Sequence, residues 1–458
     1  MAEHFDVIIV GARCAGSPLA TLLADAGLRV CVLDRARFPS DTPSTHGVQP
    51  TGVKILDRLG VLESLLKVSP PIEHGILALG DVRIELDDIS GLLGAPMVNV
   101  RRIVLDAILV DAAAAAGAEV RTQTAIRGLV EEDGRVVGVR TATAELRAPL
   151  VVGADGARST VARLVEAEEY HQTPPGRIFL WAYFDDAGGD SVSADNDGLW
   201  LGKIGDHGFL ASPTDGGLFL AAVTASADRT EEVHRDLSAS FAAGLAGWPE
   251  LEASLAGARR VGPIRVMERW HGFFRRSAGP GWVLVGDAGH FKDPTAGQGI
   301  SDALRQSVTL AAAIEQALGG PSTADRALRD WWYWRDRDAW EMYWFAHDLG
   351  APGLTPLLVQ EVQRRIAADP RLTEGLLRVF DHDLAPSKVF TPSVALAAVS
   401  TALRARPGQR QVILRQARTL VADDLRRRMS SPRAVPGCRG RLRTGATSPR
   451  QRAPASSQ

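Results

Sequence analysis

The chain has 458 residues, 45% of them hydrophobic and 23% charged, enough apolar content to bury the cores of two or three domains. Its net charge of −2 gives no electrostatic basis for binding nucleic acid. Cys14, Cys31 and Cys438 form no C-x-x-C pair, so neither a disulfide framework nor a metal site is expected.

An apolar strand starts at Phe5, which leaves no room for a signal peptide, and no uncharged apolar run has the length of a membrane span. The expected setting is reducing, soluble and cytoplasmic, without stable membrane insertion. The first unit reads as strand (5–10), helix (about 16–26) and strand (28–33), with continuous apolar runs of the kind found in parallel strands covered on both faces. Between the first strand and helix, Gly11-Ala12-Arg13-Cys14-Ala15-Gly16 is a degenerate G-x-G-x-x-G turn, with Arg13 at the second glycine position. Such turns let a pyrophosphate approach the backbone at a helix N-terminus. Asp34 closes the second strand 23 residues after Gly11, where an acid accepts hydrogen bonds from ribose hydroxyls. Arg13 is bulky, but its guanidinium could pair with phosphate oxygens. Arg35 could contact adenine, phosphate or only solvent.

Thr45-His46-Gly47-Val48-Gln49-Pro50 precedes a helix, and His46 reads either as a turn or capping residue or as a proton carrier. Residues 101–117 form a second helix, on which Arg102, beside Arg101, reads from its residues alone as a surface arginine. Asp133-Gly134 between two β-rich runs is a hairpin turn. Val151–Gly153 leads into Asp155-Gly156-Ala157-Arg158-Ser159, which is open to two readings: an N-capped strand-to-helix turn, or part of a ligand site. From 176 to 268, short β-branched and aromatic runs between Gly, Asp and Pro turns predict an antiparallel sheet, interrupted by helices at 229–255.

The third motif is the longest. Trp282–Val285 runs into Gly286-Asp287-Ala288, and Asp293-Pro294-Thr295-Ala296-Gly297-Gln298-Gly299-Ile300 opens a helix over 301–318. His290 lies between them with the same ambiguity as His46. Residues 331–345 are crowded with aromatics, and Trp332, Tyr333, Trp340, Tyr343 and Trp344 are expected on one packing face. Residues 324–430 are almost wholly helical. Residues 431–458 carry six arginines and no acid among Pro, Gly and Ser, and read as a disordered basic tail.

In order and spacing the three motifs resemble the FAD-dependent monooxygenases of the aromatic-hydroxylase (para-hydroxybenzoate hydroxylase-like, group A) family. The resemblance covers about residues 5–345. It implies an α/β fold: a discontinuous FAD-binding domain of glutathione-reductase type (1–72, 98–175 and 269–323), an inserted antiparallel-sheet substrate domain (73–97 and 176–268) and C-terminal helices (324–430). It places Gly11, Ala12, Arg13, Gly16, Asp34, Arg35, Arg102, Asp155, Asp287, Pro294, Gly297, Gln298, Gly299 and Ile300 at FAD. Only one dinucleotide fingerprint is present, so NAD(P)H is expected as a transient co-substrate. The implied reaction is hydroxylation or epoxidation of an aromatic or polyketide-like small molecule through a flavin hydroperoxide formed with oxygen. His46 is the one candidate for a catalytic side chain. In the Gly11–Gly16 turn and the Phe38-Pro-Ser-Asp-Thr-Pro-Ser-Thr-His46 stretch, the chain also looks like broader relatives of geranylgeranyl reductases and flavin-dependent halogenases, although the halogenase W-x-W-x-I-P signature is missing. The alternatives are therefore a reductase or dehydrogenase using the same flavin, and a non-catalytic protein on this fold. Substrate and oligomeric state stay open.

Overall fold

The computed structural model describes residues 3–44, 46–185, 198–317 and 321–432. Most of the basic tail read at 431–458 lies outside the described residues.

Six strands form the central sheet, in the order Ala278–Gly279, Trp282–Leu284, Leu150–Gly153, Val7–Val10, Val30–Leu33, Glu119–Arg121. All neighbours are parallel except the edge pair of Ala278–Gly279 and Trp282–Leu284. Both faces are covered, which accounts for the unbroken apolar runs. Val7 and Ile9 point into a core with the helices Gly16–Asp25, Arg102–Ala115 and Gly299–Ala317. Ile8 and Val10 point the other way, against Leu129, Val139 and Leu146 of a four-stranded sheet. That second layer contains the hairpin of Gly128–Glu132 and Arg135–Arg140. Its turn residues Asp133 and Gly134 both have positive φ (51° and 74°), the conformation for which an Asp-Gly pair is suited.

A seven-stranded sheet forms the second domain: Arg259–Met267, Arg177–Asp185, Phe219–Ser226, His207–Pro213, Leu199–Ile204, Gly75–Leu79, Val82–Leu86. It departs from a purely antiparallel sheet at one seam, where Leu199–Ile204 runs parallel to Gly75–Leu79. There a hairpin from early in the chain joins five later strands. Along Arg177–Asp185 the side chains alternate. Ile178, Leu180, Ala182 and Phe184 pack with Phe241, Leu245 and Leu251 of the helices Leu237–Leu245 and Pro249–Ser254. Phe179 and Trp181 face the opposite side, toward the parallel-sheet domain.

The helix Pro321–Leu349 buries a different face from the one expected. Trp331, Trp340 and Tyr343 are buried, whereas Trp332, Tyr333 and Trp344 are only half-buried. Arg335 occupies the interior stripe, paired with Asp336 (2.8 Å) and bonded to Ser277 Oγ (2.9 Å). A charged residue there disguises the stripe in the sequence. Beyond it, Leu376, Leu377, Val379 and Phe380 of the helix Pro370–Phe380 close over Leu77, Leu79, Ile84 and Leu86 of the early hairpin. No helix among the described residues is long and apolar enough to cross a membrane.

Candidate functional site

Strand register brings the three motifs together. Val10 stands beside Gly153 and Leu33, and Gly153 beside Leu284, so the turns that follow all leave the carboxyl edge of one sheet. Open α/β sheets bind ligands at that edge. Backbone hydrogen bonds continue past the strands: Gly11 N–H to Leu33 O (2.7 Å), Ala154 N–H to Val10 O (2.8 Å) and Val285 N–H to Gly153 O (2.9 Å). Gly16 is required for packing, since a Cβ there would stand 1.8 Å from Gly11 O.

The turns line a cavity of about 670 Å³. Gly11, Arg13, Asp34, Arg35, His46, Arg102, Asp155, Asp287, Pro294, Gly297, Gly299 and Ile300 all border it; Ala12, Gly16 and Gln298 do not. Gln298 is turned away: its Nε2 donates to Val379 O and Phe380 O (both 2.9 Å), and its Oε1 accepts from Lys292 Nζ (2.6 Å). Ala12 acts through its N–H, which donates to Asp34 Oδ2 (2.8 Å).

The acids divide by what they already hold. Asp34 accepts from Ala12 N–H and from Ala36 N–H (2.8 Å) and keeps further lone pairs, since a carboxylate offers about four acceptor sites. Asp155 accepts from Ser159 Oγ, Thr160 N–H (2.6 Å) and Val161 N–H (3.3 Å). Its carboxylate therefore caps the helix Thr160–Leu164 together with Ser159, leaving the Asp155-Gly156 backbone at the cavity. Asp287 is different. No described residue donates a hydrogen bond to it, and its side chain is exposed although it lies deep in the protein, because it looks into the cavity. The protein mass surrounding the cavity, poorer in water than bulk solvent, lifts its carboxyl to about 6, with Arg102 and Lys292 opposing and Asp302 adding to the rise.

The two arginines are held by an acid that the sequence reading missed. Asp106, fully buried, accepts from Arg13 Nη1 and from Arg102 Nε (3.0 Å) and Nη2 (2.9 Å). Arg13 Nη2 also donates to Ser40 Oγ (2.9 Å). The available signal was an aspartate four residues after Arg102 on an otherwise apolar helical face. Arg35 is exposed at the cavity mouth.

The cavity continues without a break onto the seven-stranded sheet, bordered there by Leu77, Leu201, Phe179, Trp181, Leu210, Ala222 and Met267. At the junction His46 Nε2 hydrogen-bonds to Tyr183 Oη and the rings stack at 5.9 Å. Burial, reinforced by Arg102, Arg265 and Arg101, pulls the His46 imidazole down to about 3 against the opposing pull of Asp215, so it is neutral at physiological pH. His290 is likewise buried, which holds it well below the usual imidazole range. Both imidazoles are therefore neutral near physiological pH and available as hydrogen-bonding or packing groups.

With this geometry in place, the comparisons are specific. The family described as FAD binding domain matches residues 4–340. The chain is 28% identical over 360 residues to digeranylgeranylglycerophospholipid reductase 1 of Methanopyrus kandleri, covering 74% of this chain and 86% of that one. It is also 28% identical over 366 residues to 6-methylpretetramide 4-monooxygenase of Streptomyces rimosus, covering 71% and 78%. Among solved structures it is similar to the flavin-dependent brominase Bmp2, with a TM-score of 0.68 at 18% identity over 88% of this chain and 99% of that one. That last likeness speaks to the fold alone.

Proposed function

Because the chain belongs to the FAD binding domain family and is a flavin-dependent oxidoreductase, we propose that it is an NAD(P)H-dependent monooxygenase of an apolar aromatic or polyketide-like small molecule. The observation that carries this reading is the continuity of one cavity, from the glycine turns at the sheet edge to an apolar wall on the second domain. A cofactor and a substrate can meet there away from water.

The residues present fit FAD. Asp287 offers a carboxylate with no protein donor, suited to the hydroxyls of a ribityl chain. Cβ atoms added at Gly156 or Gly299 would meet no protein atom within 4 Å, so side chains at these cavity-lining positions would enter the open slot. In this reading Asp34 and Arg35 hold the adenosine end. The Gly11–Arg13 backbone, with Arg13 and Arg102, faces the pyrophosphate. Pro294, Gly297, Gly299 and Ile300 meet the ring, where the N-terminus of the Gly299–Ala317 helix favours negative charge. When bound, FAD supplies the redox chemistry, accepting electrons from NAD(P)H and delivering them to oxygen. The protein's part is then to orient the substrate against Phe179, Trp181 and Ala222 and to exclude water. Neutral His46, hydrogen-bonded to Tyr183, supplies a fixed dipole at the domain junction.

Asp287→Ala is expected to weaken FAD binding by about 1.5–3 kcal/mol, the worth of hydrogen bonds to a charged group, which is roughly a 10- to 150-fold rise in Kd. Fluorescence titration of flavin-free protein measures it. Asp287 also makes the stability of the flavin-free fold depend on pH. With the Asp287 pKa raised from 3.8 to about 6, its stabilisation is complete below the lower value and fades as pH rises through the upper. Because Asp287 is exposed to the open cavity, solvent screens this effect, and thermal midpoints of the flavin-free wild type should drop only slightly, relative to Asp287→Asn, between about pH 4 and 7.

A reductase reading draws support from the identity shared with the digeranylgeranylglycerophospholipid reductase over 74% of the chain. Monitoring NAD(P)H and oxygen together across a panel of apolar compounds separates the two. A monooxygenase consumes both in equal amounts only when a substrate is present, whereas turnover without oxygen would overturn the reading in favour of the reductase.

A further inference from the structure

The helix Arg410–Ser430 spans 21 residues and buries only Ile413. Its inner side is fixed by three contacts. Ile413 is buried, Gln416 Oε1 accepts from Leu358 N–H (3.0 Å), and Arg427 makes a two-pronged pair with Asp348 (2.6 and 2.7 Å) while its guanidinium lies 4.5 Å from the centre of the Trp344 ring. The outer side is not polar. At about 100° per residue, Leu414, Val421, Leu425 and Met429 fall within an arc of roughly 80° on the side away from those contacts. They are 45%, 61%, 54% and 79% exposed.

The charges around this stripe are mainly positive. The helix carries six arginines against two aspartates in a chain whose net charge is −2. Arg418 lies within the stripe and Arg410 on its border, and neither pairs with an acid among the described residues; Arg428, on the same border, pairs with Asp424 (2.8 Å). An apolar stripe edged by arginines is the pattern of a helix that lies in the interface of an anionic bilayer, its apolar side chains among acyl chains and its guanidinium groups at phosphates. A second copy fits less well, since two-fold pairing of this helix sets Arg418, near its middle, close to its own counterpart.

We propose that the outer face of the Arg410–Ser430 helix docks the protein reversibly onto membranes containing anionic phospholipid. The position adds a consequence. Asp348, which anchors the helix, is followed by Leu349 at the apolar part of the cavity, and Leu354 in the adjoining loop is 78% exposed. Docking would bring the apolar end of the cavity near the lipid surface, although the surface proposal stands without any particular reaction.

The flavin-loaded full-length protein is sedimented with vesicles of phosphatidylcholine alone and of an equal mixture with phosphatidylglycerol. Binding is expected only to the mixture and should weaken as salt is raised. Leu414→Glu/Val421→Glu/Leu425→Glu should abolish it. Arg410→Gln/Arg418→Gln should lower the partition coefficient about fivefold per charge removed. All five positions are exposed, so retained flavin and an unchanged melting temperature establish that the variants fold. The proposal is overturned if anionic vesicles do not bind the protein, or if both variants bind undiminished. It is also overturned if the leucine and valine substitutions dissolve a dimer seen by analytical ultracentrifugation while vesicle binding is absent.

Discussion

Replacing Asp106 with alanine is expected to destabilise the flavin-free protein by about 3 kcal/mol or slightly more, the lower part of the range for breaking a buried ion pair. Asp106 has no solvent exposure and receives donors from Arg13, Arg102 and, at 3.3 Å, Cys14 Sγ. Without it the Arg102 side chain, 13% exposed, keeps its charge in the interior with no acid hydrogen-bonded to it, and only Asp287 left to attract it across the cavity. Arg13 is 24% exposed and loses less, because it can turn toward water. Asp106→Asn preserves shape and one acceptor and should fall between wild type and alanine. Urea unfolding with an unchanged m-value is the measurement. FAD should recover part of the loss, since its phosphates would give both arginines a new partner. A defect of the same size with and without FAD would show that these arginines do not face the phosphates.

Gly11→Val should be as severe for another reason. Gly11 has φ of +107°, and a Cβ built there would lie 2.4 Å from Ala154 O and 2.6 Å from Ala154 C. Both are backbone atoms of the neighbouring strand end, so nothing flexible can yield. Strain and collision together should cost about 3 kcal/mol or more, and the protein should purify without bound flavin. Gly156→Ala is the informative contrast. Its φ is +78°, yet the added Cβ meets nothing within 4 Å, so the expected stability loss is about 1 kcal/mol. A methyl group at this cavity-lining position should weaken FAD binding all the same. Thermal melts and the flavin-to-protein absorbance ratio distinguish the two outcomes.

These contrasts show what was legible in the sequence. Gly11, Gly16, Asp34 and the Gly286-Asp287 turn follow strands closely, so spacing and the family resemblance together were enough to place them at the carboxyl edge of one sheet. The Asp133-Gly134 hairpin was legible from its turn residues. What escaped depends on partners distant in the chain. Asp155 read equally as a cap or a ligand contact, and only the bonds to Ser159, Thr160 and Val161 assign its carboxylate to the cap. Gln298 sits inside a cofactor-type motif, but its amide is taken by carbonyls of Val379 and Phe380 from a helix whose position no local pattern reveals. His46 reads in the sequence as a turn residue or a proton carrier, with nothing to indicate its charge. Its neutrality is set by burial and by Arg101, Arg102 and Arg265, contributed by two other segments. The interior face of the Pro321–Leu349 helix was misread because Arg335 and Asp336 pair within it, so the core stripe is not wholly apolar.

Diffraction from crystals of the protein purified with its flavin tests the account most directly. FAD is expected to lie stretched along the cavity, with adenosine beside Asp34, ribityl hydroxyls on Asp287, and the ring between the Gly297–Ile300 turn and the apolar wall of Phe179 and Trp181. FAD bound in the reverse direction, or density outside this cavity, would contradict it.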